Sequence, residues 1–170
     1  MRSLKLAMMA TAAVAALSSA AMAADLIVDV PIDTPIIDNS FSFDGAYVGA
    51  FLQGQNNPNT FGLGVNFGVN ALMGNLLLGA EVEGTAMLGP HFSGQVTGKV
   101  GGLITDDAII YAYSGLGSRT TTSWYVPIGI GAEVAVADNM SIKGEVQYNW
   151  DLNNAAHDSV AAKVGLNFHF

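Results

Sequence analysis

The chain has no cysteine, which excludes disulfides and thiolate metal centres from the outset. Basic residues are almost as scarce. Beyond residue 23 there are four, Lys99, Arg119, Lys143 and Lys163, against fourteen acids, a net charge of about −10. A nucleic acid would find little to bind on such a chain. Long apolar runs are missing too, since no stretch after residue 23 reaches the roughly 18 uninterrupted apolar residues of a membrane helix. The three histidines, His91, His157 and His169, are too scattered to indicate a metal site. Isolated glycines in strand-like segments pack side chains; they do not form a phosphate loop. No cofactor is expected.

What the chain does have is apolar composition without apolar runs: 51% of its residues are hydrophobic and 20 of its 170 are glycine. The pattern behind this is a two-residue repeat. In the last eleven residues, VAAKVGLNFHF, Val160, Ala162, Val164, Leu166, Phe168 and Phe170 share one face, and Ala161, Lys163, Gly165, Asn167 and His169 share the other. At about 3.3 Å per residue and a tilt near 45°, such a strand spans roughly 25 Å, the height of an outer-membrane hydrocarbon band.

The opposite end reads as an export signal. Arg2 and Lys5 precede an apolar run from Leu6 to Leu17, and the segment closes on Ala21-Met22-Ala23, an A-x-A cleavage pattern. Residues 1–23 are therefore expected to be a signal peptide. Residues 24–42, with four aspartates and two prolines, are expected to be a periplasmic arm. From there to residue 170 the chain is a train of alternating segments cut by turn residues. Strands are predicted at about 44–54, 60–71, 76–88, 92–103, 108–116, 123–136, 140–151 and 160–170. Eight antiparallel strands predict an all-β, up-and-down transmembrane barrel over 43–170 with both termini on one side, the periplasm. The connections near 72–75, 104–107 and 137–139 lie on that side, and those near 55–59, 89–91, 117–122 and 152–157 on the outer side.

Charge placement separates this barrel from a soluble sandwich. Lys99, Lys143, Lys163, Glu81, Glu83, Glu133 and Glu145 all fall within strands, on the face opposite Leu, Val and Ile, whereas every Asp lies in the arm, a turn, a loop or a strand end. The charged face is otherwise Gly, Asn, Gln and Thr, as a narrow polar lumen requires. Opposed residues across an antiparallel connection have a constant index sum. Connections centred at 90, 138 and about 154 predict the lumenal pairs Glu81–Lys99, Glu133–Lys143 and Glu145–Lys163, with Glu83 diagonal to Lys99. Trp124, Val126, Tyr148 and Trp150 carry the apolar parity near strand ends, where interfacial aromatics belong.

Several stretches resemble the small outer-membrane β-barrel family of alphaproteobacteria, the surface-antigen and opacity-type porin-like proteins. They are FDGAYVGAFLQG at 43–54, LLLGAEVEG at 76–84, IGIGAEVAVADNMSIKGEVQYNWDL at 128–152 and the closing VAAKVGLNFHF at 160–170. This chain departs from the family pattern in its shorter outer loops and in Thr97-Gly98-Lys99, where an Arg-Gly-Arg-like strand is usual. The resemblance implies a non-enzymatic integral outer-membrane protein with a structural or surface role. Its implied partners are outer-membrane lipids, lipopolysaccharide and the barrel assembly machinery, with Phe168 and Phe170 as the C-terminal assembly signal. The alternatives are a small or gated channel and, behind it, a lipid-modifying enzyme using His91 and Ser93 as base and nucleophile. Eight strands leave an interior just wide enough for side chains, which argues against a wide pore.

Overall fold

The computed structural model describes residues 41–57, 59–89, 91–120, 123–153 and 157–170. The expected signal peptide and all but the last two residues of the expected arm lie outside them. Eight strands form the wall: β1 (Gly45–Asn56), β2 (Asn59–Met73), β3 (Leu76–Met87), β4 (Phe92–Thr105), β5 (Ala108–Arg119), β6 (Ser123–Ala137), β7 (Met140–Asp151) and β8 (Ser159–His169). Each pairs antiparallel with the next, and β8 returns to β1 through Tyr47↔His169 to Gln55↔Ala161, closing the barrel. Closure leaves no unpaired strand edge.

Turn chemistry sets the registers. Met73 faces Leu76 across a two-residue connection in which Gly74 has a φ of +62°, the left-handed geometry that matches hairpin twist. Asp106-Asp107 and Asp138-Asn139 make the other two turns at this end, with register shifts at Leu103/Thr105 and Ala135/Ala137. At the opposite end the strands run further than the side-chain pattern predicts. β1 reaches Asn56 and β5 reaches Arg119, because ladder hydrogen bonds are made by the backbone whatever the side chain's polarity. Pro127 sits inside β6. Its missing N–H leaves a gap on the β5 side, where pairing stops at Ser114↔Ile128 and resumes at Gly117↔Tyr125.

Burial is inverted relative to a soluble protein. Along β8, Ser159, Ala161, Lys163, Gly165, Asn167 and His169 are buried while Val160, Val164, Leu166 and Phe168 are exposed. The same alternation holds along β2 and β7. Trp124, Tyr148 and Trp150 stand on the outer wall as expected from their parity. Val126 shares that parity and faces Trp150 across the ladder, but it is buried.

The lumen is filled by aromatics laid over glycines of neighbouring strands. A Cβ added to Gly68 would stand 2.2 Å from the Tyr47 hydroxyl, one on Gly64 2.2 Å from Phe51 Cζ, and one on Gly117 2.2 Å from Tyr125 Cζ; Gly129 and Gly131 receive Tyr113 and Tyr111 in the same way. A Cβ on Gly144 would meet nothing within 4 Å. Gly117→Ala is therefore expected to lower the unfolding free energy by about 1–3 kcal/mol through overpacking. Gly144→Ala should leave it within about 0.5 kcal/mol. Urea unfolding of refolded protein, followed by tryptophan fluorescence, compares the two.

Candidate functional site

Strand parity brings the seven charged residues into one buried network across the middle of the lumen, each at most 5% exposed. Lys99 Nζ donates to Glu81 Oε2 at 3.2 Å and to the Tyr47 hydroxyl at 2.6 Å, and that hydroxyl in turn donates to Glu81 at 2.6 Å. Lys143 Nζ lies 3.2 Å from both Glu81 oxygens, 3.5 Å from Glu83 and 3.7 Å from Glu145. Lys163 Nζ donates to Glu83 Oε2 and lies 3.5 Å from Glu145. Phe51 is shared by two ammoniums, with Lys143 and Lys163 at 5.4 and 5.3 Å from its ring centroid.

This arrangement corrects the expected ladder in three respects. Glu81 stands opposite Thr97, two residues from Lys99, although the ion pair forms diagonally. Glu133 does stand opposite Lys143, yet Lys143 turns away to three other carboxylates. Glu83 meets Lys163 and Lys143, not Lys99. The cause is barrel closure. In a lumen this narrow β3 faces β7 and β8 across the interior, and an ammonium among three carboxylates gains more than one beside a single neighbour. Buried charges need such multiple partners to offset desolvation. Glu145 and Lys163 are opposed in the ladder and 3.5 Å apart.

Neutral residues complete the network, and their parity was the only signal for them in the sequence. Gln95 donates to Glu83 at 2.5 Å and exchanges hydrogen bonds with Gln147 at 3.1 Å, and Tyr111 donates to Glu145 at 2.8 Å. Glu133, left without a lysine, accepts from Ser141 and from Asn167 at 2.9 Å, with His169 Nε2 at 3.0 Å. Ser141, His169 and Glu133 have the composition of a hydrolytic triad but not its geometry. Serine and acid both meet Nε2, and Nδ1 has no hydrogen-bond partner among the described residues. Ser141 is also fully buried. Oxygens of Glu81, Glu83 and Glu145 lie within 4.8 Å of one another, a spacing that suits a cation, and the lysine ammoniums supply that charge.

His91 and Ser93 line a different space, a cavity of about 160 Å³ at the end of the barrel opposite Gly45 and His169, together with Gln55, Arg119, Asp151 and His157. Arg119 stacks on Tyr125 at 4.6 Å, donates to Ser159 Oγ at 3.0 Å and faces Asp151 at 3.9 Å. Asp151 also accepts from the Asn153 amide at 2.9 Å. The acid of that cavity is thus engaged with arginine and backbone.

No protein-family model matches the chain, and no curated protein sequence does. Solved structures do match. A de novo designed transmembrane β-barrel superposes with a TM-score of 0.59 at 18% identity, covering 76% of this chain and 99% of the design. The N-terminal β-barrel domain of Pseudomonas aeruginosa OprF gives 0.58 at 15% identity, covering 75% of this chain and 98% of that domain. Neisserial surface protein A gives 0.53 at 13% identity, with 75% and 98% covered. At these identities the likeness establishes the fold, the small eight-stranded transmembrane barrel. A shared fold by itself assigns no function.

Proposed function

We propose that the protein is a non-enzymatic integral outer-membrane barrel with a structural or surface role, closed along its axis by the Glu–Lys network and oriented with both termini in the periplasm. One observation carries this reading: the charges in strands point into the barrel, and most of the aliphatic side chains point out of it. Lys143 is wholly buried, while Val65, Ile130 and Val146 are each more than half exposed on the outer wall. In water that wall would be an apolar surface far larger than the few hundred Å² that monomers tolerate. In a bilayer it is the required exterior, surrounded by lipid and, on the outer leaflet, lipopolysaccharide. The exposed Phe168–Phe170 pair, with ring centroids 5.2 Å apart, is the surface we assign to the assembly machinery.

Cell fractionation tests the location. The protein is expected in the outer-membrane fraction, retained through high-salt washing and released by detergent; recovery in the soluble periplasm would overturn the proposal. The channel alternative is tested by single-channel recording of refolded protein beside Lys99→Ala. Neither is expected to open, and discrete openings of the unaltered protein would establish a channel.

A further inference from the structure

The base of the lumen does not follow the polar rule of the rest. Leu77 of β3 and Ile109 of β5 point inward and are fully buried, although their strands continue inward with Glu81, Glu83, Tyr111 and Tyr113. Two inward aliphatics at the end of a polar lumen need apolar partners, and the wall's Tyr111, Tyr113, Leu72 and Leu103 provide only part of them. The remaining partner is Phe43, from the segment before β1. It is 1% exposed and forms one cluster with Leu77, Ile109, Tyr111 and Tyr113, with Phe41, Leu72 and Leu103 packed around it.

Residues 41–44 pair with no strand. The ladder begins at Gly45↔Asn70, where Gly45 has a φ of +104°, a conformation that turns the chain inward and that L side chains rarely adopt. Among the described residues, only a few polar contacts hold the segment. Asn70 Nδ2 donates to the Phe43 carbonyl at 3.1 Å, and the Leu72 amide donates to Asp44 Oδ1 at 2.9 Å. Phe41 and Phe43 meet edge-on at 4.7 Å, and Phe41 sits edge-on to His169 at 4.8 Å.

We propose that residues 41–44 are a displaceable plug that seals the terminal end of the lumen, leaving it a blind cup that opens only at the Arg119 end. Because the plug shares no ladder hydrogen bonds, it can withdraw while the eight-stranded wall stays paired. Withdrawal would uncover Leu77, Ile109 and the His169–Glu133 contact to the aqueous phase on that side. The Glu–Lys network lies beyond them and stays in place, so an open plug exposes the base of the lumen without making a through-channel.

The absence of native cysteine makes the test direct. A single Leu77→Cys substitution, and separately Ile109→Cys, is reacted with a membrane-impermeant maleimide on the folded full chain. Both thiols are expected to be protected, and labelling should rise on the order of a hundredfold when Phe41→Ser and Phe43→Ser are added, as for local opening that no longer has to extract two aromatics. Phe43→Leu, which keeps an apolar plug, should restore protection. Folding of each variant is verified by its heat-sensitive gel migration, and a wall lost together with the plug overturns the proposal. So does rapid labelling at both positions with the plug intact, or protection that persists after both phenylalanines are removed.

Discussion

Lys143→Met is expected to destabilise the barrel by about 3–5 kcal/mol, the range for removing one partner from a buried ion network. The lysine is fully buried among Glu81, Glu83 and Glu145 at 3.2–3.7 Å. Methionine fills much of the same volume, so the loss reports charge and not a cavity. With it gone, three buried carboxylates share Lys99 and Lys163 and have fewer donors. Adding Glu81→Gln should recover part of the loss, because it removes one of the uncompensated charges; coupling of this kind is expected among residues in one network. Urea midpoints read by Trp124 and Trp150 fluorescence measure both variants. A loss below about 1 kcal/mol for Lys143→Met would mean that the network is hydrated and not closed.

The second large effect belongs to the outer wall. Val146 lies in the middle of β7, facing outward at 54% exposure. Arginine there should cost about 2–4 kcal/mol in a bilayer, and arginine at Met73, beside the β2–β3 turn, only about 0–1 kcal/mol. The contrast carries the information, because both positions are exposed and a barrel with its wall in water would accept arginine equally at each. Equal stability of Val146→Arg and Met73→Arg in lipid vesicles would remove the bilayer from around β7.

These effects mark what could be read from the chain and what could not. The eight strands and the identity of the inward row follow from a two-residue period, and the tight turns follow from Gly74, Asp106-Asp107 and Asp138-Asn139. The register across the last two hairpins was equally legible, since a constant index sum places Glu133 opposite Lys143 and Glu145 opposite Lys163. Partner choice was not. An index sum relates adjacent strands only, whereas Lys143 chose Glu81 and Glu83 on β3, three-dimensional neighbours created by closure. The role of Phe43 was hidden for a related reason. Its alternation with Gly45 and Tyr47 continues the pattern of β1, and only the turn at Gly45 takes it off the wall and into the lumen. The cavity that His91 and Ser93 line was hidden for the same reason, because its other members, Arg119 and Asp151, come from strands remote in sequence.

All of these expectations depend on one property, a closed and independently stable barrel wall in a membrane. Gel migration of detergent-extracted protein, with and without boiling, tests it most directly. A closed ladder from β1 to β8 that resists mild detergent should give two bands, the unboiled one migrating differently from the boiled one. Identical migration before and after boiling would contradict the barrel itself.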